Sequence, residues 1–77
     1  MTHENLVQVA VDAIMSYLNS HPDSADTIEG IHEWWIEWPA LPESMLVTHM
    51  ALIQIEQSGL LERRYISGRE IWRLARA

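Results

Sequence analysis

The chain has 77 residues, 48% of them hydrophobic, with no cysteine and a formal net charge of −6. This length and composition predict one small folded domain rather than a disordered segment, and the lack of cysteine excludes disulfides and thiolate metal sites. No apolar run approaches the roughly 18 residues of a membrane-spanning helix, and no basic segment precedes the first apolar residues as in a signal peptide. We therefore expect a cytoplasmic protein with no membrane partner.

Charge is distributed unevenly along the sequence. Residues 1–62 contain ten acidic residues and no lysine or arginine, whereas residues 63–77 contain five arginines and one glutamate. A surface with this layout should repel a polyphosphate over most of its area. Only the last fifth of the chain has the positive charge to contact a polyphosphate.

The first predicted element is a helix over residues 5–19, in which apolar side chains recur at intervals of three and four positions. Its polar stripe is narrow and is formed by Asn5, Gln8, Asp12, Ser16 and Asn19. Val9 and Met15 flank this stripe, so the apolar surface is wider than a single core contact requires. We expect the additional apolar surface to contact another molecule.

A second helix is predicted over residues 27–36, after a turn-forming segment that contains Pro22. Asp26 is the expected N-cap, and Glu29 three residues later resembles a capping box. Trp34 lies outside the predicted core stripe of this helix and has two open interpretations. It is either a binding hot spot, where tryptophan is over-represented, or part of a core built from four tryptophans and no phenylalanine.

Glu29 and His32 form one Glu-x-x-His pair, which is half of a di-metal carboxylate motif. A second copy and two further glutamates would be needed in a bundle core, and the sequence indicates neither. No glycine-rich phosphate loop, nucleophile elbow or HExxH motif occurs in the chain. We therefore expect a solvent-exposed Glu-His pair, no catalytic residue, no metal, no cofactor and no enzymatic activity.

The third helix is predicted over residues 42–58, after the segment "WPALP" forces a change of direction. Pro42 suits the first turn of this helix, and Gly59 is the expected left-handed stop. Leu60 is expected to close over the helix end. The residues predicted to face inward are Val47, Ala51 and Ile55.

The C-terminal residues alternate in polarity as two strands, over residues 61–66 and 69–74. Ser67 and Gly68 between them suit a two-residue hairpin turn. With that turn, Arg64, Arg69 and Arg73 lie on one face of the hairpin. The predicted order of elements is therefore helix, helix, helix, hairpin.

This order, with "ALIQIEQSGLLERR" followed by "SGREIWRL", resembles the winged helix-turn-helix family over nearly the whole chain. The resemblance implies a single, mostly helical α+β domain over residues 1–77 whose C-terminal hairpin is a two-stranded wing. In that family helix three usually enters the major groove of DNA, and the wing touches phosphate or the minor groove. Many winged-helix domains bind proteins instead, so the fold leaves the ligand open.

DNA binding is the alternative function. Thr48 and His49 are the outward residues of helix three that could hydrogen-bond a base, although no arginine or lysine lies in that helix. Arg64, Arg69 and Arg73 on the wing form a candidate phosphate clamp. Because phosphate contacts normally supply most of the affinity, this function depends on those three arginines.

Protein interaction is the favoured function, through either a protein partner or a homodimer. Helices one and three expose more apolar surface than a monomer needs, and exposed apolar patches mark interfaces. The uneven charge also suits association of an arginine wing with an acidic face. The predicted contact residues are Val9, Met15, Trp34, Met45, His49 and Ile53.

Overall fold

A computed structural model describes residues 3–76, with side chains from residue 5 onward, as three helices and a three-stranded antiparallel sheet. This confirms the predicted α+β class. The elements in chain order are α1 (His3–Ser20), β1 (Ala25–Asp26), α2 (α-helical Ile28–Gly30 continued by π-helical Ile31–Trp35), α3 (Met45–Gln57), β2 (Leu61–Ile66) and β3 (Arg69–Leu74). None of the described helices combines the length and hydropathy needed to cross a bilayer.

The sheet has the order β1-β3-β2, so the hairpin is not a two-stranded wing alone. Its third strand, β1, pairs Ala25 with Arg73 and Asp26 with Trp72. The predicted turn is present at Pro22 and Asp23, where the Ser24 amide donates to the His21 carbonyl oxygen at 3.0 Å. β1 follows this turn and was not predicted, because a two-residue strand is too short to show alternating polarity. At the other end of the hairpin, Ser67 and Gly68 have positive φ angles of 53° and 78°, as a type I′ turn requires.

The core forms where α3 packs against α1, α2 and β2. α1 presents one buried stripe to it at helical spacing, while the polar stripe of α1 stays exposed. The buried apolar residues are Val7, Ala10, Ile14 and Leu18 of α1, Ile31, Trp35 and Ile36 in and after α2, Val47, Ala51, Leu52 and Ile55 of α3, and Leu61 and Trp72 of the hairpin. α3 is therefore the element that every other layer contacts.

The start of α2 differs from the predicted capping box. Thr27, not Asp26, is the N-cap, and its hydroxyl oxygen accepts a hydrogen bond from the Gly30 amide at 3.3 Å. The Asp26 carboxylate instead accepts from the amide of Thr27 at 2.7 Å. That carboxylate lies where a side chain on residue 30 would project, so only glycine fits there without movement of Asp26.

The boundaries of α3 also differ from the prediction. Its N-cap is Ser44, whose hydroxyl oxygen accepts from the Leu46 amide at 3.2 Å, so Pro42 lies before the helix rather than in its first turn. The helix ends before Gly59, whose φ of 86° confirms the left-handed stop. Leu60 does not close over the end, because it is 53% exposed, and the next residue, Leu61, is buried in its place.

We expect Gly30→Ala to destabilise the chain by up to about 1 kcal/mol, because the added methyl group must displace the Asp26 carboxylate from its hydrogen bond to the Thr27 amide. In an ordinary helix interior the same change stabilises by up to about 1 kcal/mol. Urea denaturation followed by tryptophan fluorescence would measure the difference. In an Asp26→Ala background the methyl group has room, so Gly30→Ala should become neutral or stabilising. If Gly30→Ala alone stabilised the chain, the Asp26 carboxylate would not lie as close to position 30 as the structure shows.

Candidate interaction surface on helix α3 and the sheet

The side of α3 that faces away from the core is apolar and open to solvent. Met45, Leu46 and Met50 are 40%, 57% and 46% exposed, respectively. His49 is exposed and Ile53 is half-buried against the core. The five residues share one side of the helix by their spacing, and we call them the α3 outer face. The structure therefore brings the predicted Met45, His49 and Ile53 together.

Leu46 and Met50 belong to the α3 outer face and were missed in the sequence. The buried stripe of α3 is wider than predicted, because it includes Thr48 and Leu52. Thr48 had been expected to point outward, which was wrong. At 100° per residue, the direction opposite the predicted inward residues falls near positions 46, 49 and 53. The helical phase could therefore have identified Leu46.

Thr48 lies in the core and cannot contact a base as predicted. Its side chain is completely buried, and its hydroxyl oxygen lies 2.6 Å from Nδ1 of His32, forming a hydrogen bond between α3 and α2. His32 was expected to be exposed beside Glu29 but is 7% exposed. The indole N–H of Trp38 donates to the His32 carbonyl oxygen at 2.9 Å. The buried hydrogen bond between Thr48 and His32 therefore links α3 to α2 and gives each polar side chain a partner inside the core.

Arg63 connects the end of α3 to the hairpin, a role that the sequence analysis did not identify. Its Nε and Nη2 donate to the two carboxylate oxygens of Glu56 at 2.9 and 2.8 Å, and Nη1 donates to Glu70 at 3.3 Å. The guanidinium also lies 4.5 Å from the centre of the Trp72 ring. One of the five arginines is therefore committed to the fold and not to a ligand.

Arg64, Arg69 and Arg73 lie on the outer face of the sheet. The pairing of Glu62 with Arg73, Arg64 with Ile71 and Ile66 with Arg69 places all six side chains on that face. Glu62 accepts from Arg73 at 2.8 Å and lies 3.5 Å from Arg64. Hydrogen bonding from Arg73 lowers the pKa of Glu62, which stays ionised and offsets part of their charge. Among the described residues, Arg69 forms no ion pair.

The remaining predicted contact residues lie elsewhere. Val9 and Met15 of α1 are half-buried, and Met15 packs against the core. Trp34 is 75% exposed and lines a groove between α1 and α2 whose lining includes no residue of the α3 outer face. The predicted contact residues therefore fall in three groups: the α3 outer face, the two residues of α1, and Trp34 in the groove. Within the described part of the chain, no three histidine or acidic side chains are arranged to hold a metal ion.

Comparisons with known proteins identify no relative of this chain. No protein-family model, curated protein or solved structure matches it. The basis for a functional conclusion is therefore the chemistry of the α3 outer face and the sheet.

We expect Glu56→Gln to destabilise the chain by about 1 kcal/mol at neutral pH, because it weakens the two-pronged contact with Arg63. Hydrogen bonding from Arg63 holds the pKa of Glu56 below its ordinary value. A carboxyl group whose pKa is lower in the folded state stabilises the fold at pH values above its unfolded-state pKa. This stabilisation is lost as the pH falls through the folded-state pKa. Wild-type stability should therefore fall more steeply than that of Glu56→Gln below about pH 5.

Urea denaturation across that pH range would test this difference. Glu33→Gln is the matched control, because Glu33 is exposed and forms no ion pair among the described residues. Equal effects of the two substitutions at neutral pH would mean that the contact between Arg63 and Glu56 contributes nothing measurable.

Proposed function

We propose that this chain is a small winged-helix module that acts through protein–protein contact, with the α3 outer face pairing with a second copy of the chain. The observation that carries the proposal is the exposure of Met45, Leu46 and Met50 on a helix whose opposite side is fully packed. Three helices and a three-stranded antiparallel sheet are compatible with a winged-helix-like fold. Adjacent exposed apolar side chains favour a covered surface.

The electrostatics of the α3 outer face support a second copy as the occupant. Apart from His49, the five residues of this face carry no titratable side chain, although the whole chain has a net charge of −6. Glu56 lies near His49, but its charge is paired with Arg63. Two copies that approach through α3 therefore avoid the direct contact of like charges that other acidic surfaces would impose. A two-fold arrangement pairs the same patch from each copy, as most homodimers do.

The size of the α3 outer face determines how tightly two copies are expected to bind each other. α3 has 13 residues, and such a helix is roughly 20 Å long. A single pair of helices of this length buries less than a standard protein interface. We therefore expect a weak dimer with a dissociation constant on the order of micromolar.

The absence of enzymatic activity and the cytoplasmic location are also parts of this proposal. The sequence supports the first because it contains no recognisable catalytic motif. It supports the second through its lack of cysteine. Both stay predictions.

DNA binding is a second candidate, favoured by the placement of Arg64, Arg69 and Arg73 on one sheet face. Two features count against it. Glu62 offsets part of the charge of Arg64 and Arg73, and α3 contains no arginine or lysine. With Thr48 buried, the outer face offers His49 but little else that could hydrogen-bond a base.

We expect the wild-type chain to dimerise with increasing concentration in sedimentation velocity experiments and Leu46→Glu to remain monomeric. Leu46 is exposed near the start of α3, where a carboxylate favours the helix, so this variant should fold. Ala40→Glu is the matched control, because it adds the same charge at an exposed loop position outside α3. A wild-type monomer at every concentration, or dimerisation of Leu46→Glu, would rule out self-association through α3.

For DNA, we expect no binding of random-sequence duplex by the wild-type chain at about 50 mM salt, where phosphate contacts are strongest. Fluorescence anisotropy of a labelled duplex would measure it. Glu62→Gln is the informative variant, because it frees Arg64 and Arg73 from their shared carboxylate. The wild type could instead bind the duplex with micromolar affinity that is lost by about 200 mM salt. If Arg69→Ala also weakened that binding, DNA binding would be established as the function.

A further inference from the structure

A groove of about 440 Å³ lies between the C-terminal half of α1 and the end of α2. This volume falls in the range of small-ligand sites, about 300–1,000 Å³. The lining includes Ser16, Tyr17, His21, Trp34 and Glu37. Aromatic rings, small hydroxyl groups and one carboxylate therefore face the same space, on elements that belong to the core.

Three rings on one wall of the groove are fixed by stacking. The Tyr17 ring lies 4.5 Å from the ring centre of His21 and 4.7 Å from that of Trp35, with interplanar angles of 22° and 14°. Nδ1 of His21 lies 3.2 Å from the carbonyl oxygen of Tyr17, so its N–H donates there. Because Trp35 is buried in the core, this wall is held in place before any ligand arrives.

Trp34 has the opposite environment to its neighbour Trp35. Its side chain is 75% exposed while it lines the groove, and no described aromatic ring stacks on it. An indole presents the strongest cation-binding face among the aromatic side chains. Trp34 therefore offers an unoccupied aromatic surface at the mouth of a fixed groove.

The charge around the groove is negative and is not compensated from within the chain. Glu37 is exposed and forms no ion pair among the described residues. No lysine or arginine precedes Arg63 in the sequence, so neither α1 nor α2 carries one. The groove thus combines a carboxylate with an aromatic face, and both are complementary to a cation with an apolar stem.

We propose that this groove binds an arginine side chain from a segment of another protein. A guanidinium is planar, stacks on aromatic faces and pairs with a carboxylate through two parallel N–H donors. In the groove, the guanidinium plane lies against the Trp34 indole and its N–H groups donate to Glu37. A lysine ammonium has neither a planar face for stacking nor two parallel donors for the carboxylate, which makes arginine the better fit.

The arginines of the chain itself are poorer candidates for this occupant. Arg63 is held by Glu56 and Glu70, and Arg64 and Arg73 share Glu62. Arg69 and Arg76 line two other surface pockets, neither of which includes Trp34 or Glu37. The groove also contains no residue of the α3 outer face. The arginine site therefore does not depend on dimerisation through α3, and either proposal can fail without the other.

The test follows the indole N–H signals of the ¹⁵N-labelled chain by NMR, with the Trp34 signal assigned by its loss in Trp34→Phe. The probe is acetyl-Gly-Arg-Gly-amide, and the matched probe carries citrulline, which keeps the shape but lacks the charge. We expect the arginine peptide to shift the Trp34 signal with a dissociation constant on the order of 1 mM, as suits a single side chain. The citrulline peptide should produce no saturating shift.

Two variants locate the site. Glu37→Gln should raise the dissociation constant about fivefold, whereas Glu33→Gln, an exposed acid of α2 outside the groove, should leave it within about twofold. Equal effects of the two, or equal binding of the two peptides, would overturn the proposal in favour of general attraction to an acidic surface. A Trp34 shift that changes on dilution of the Leu46→Glu variant, which should not pair through α3, would identify a second copy as the occupant of the groove and would also overturn the proposal.

Discussion

The contact of Arg63 with Glu56 joins the two layers of this small fold. It fixes the end of α3 to the first strand of the hairpin, and the same guanidinium covers the buried Trp72 and reaches Glu70. A chain of this size has little surplus stability, so one multidentate contact between layers has a large relative effect. It also commits the charge of the first arginine of the chain, whose side chain is half-buried, to contacts within the protein.

The core imposes a second constraint, on α3. This helix is largely apolar, and five of its 13 residues are buried, so its outward side is apolar as well. α3 must contact α1, α2 and β2, and no further element of the described chain covers the opposite side. The leucine and methionines on that side are thus exposed because α3 is rich in apolar residues and the described chain has too few elements to cover both of its sides. Exposed apolar surfaces of this kind are usually covered by association with another molecule.

The α+β class could be predicted because long periodic segments determine it. α1 and α3 show helical spacing, and the hairpin shows strand alternation around Ser67 and Gly68. Local rules could not identify β1, because this two-residue strand exists only through its pairing with β3. The N-cap was misplaced by one residue because Asp26 and Thr27 are both good caps, and the tight space beside Gly30 is visible only in three dimensions.

The candidate sites were predicted less completely, for related reasons. Burial of Thr48 follows from its partner His32, sixteen positions away, and no sequence window joins those two residues. The arginine face of the sheet followed from strand alternation, but the neutralising position of Glu62 depends on the register of the hairpin. The groove beside Trp34 combines α1 with α2, so periodicity within either helix could not show it.

Glu62 has a consequence for how this surface can change in evolution. One glutamate stands between two of the arginines on the outer sheet face, so the strength of the positive charge on that face depends on a single side chain. The codons of glutamate and lysine differ by one base. An electrically mixed face and a strongly basic one are therefore separated by one point mutation, on a sheet whose backbone need not move. Descendants of one ancestor could exchange a protein partner for a nucleic acid, or the reverse, without passing through a different fold.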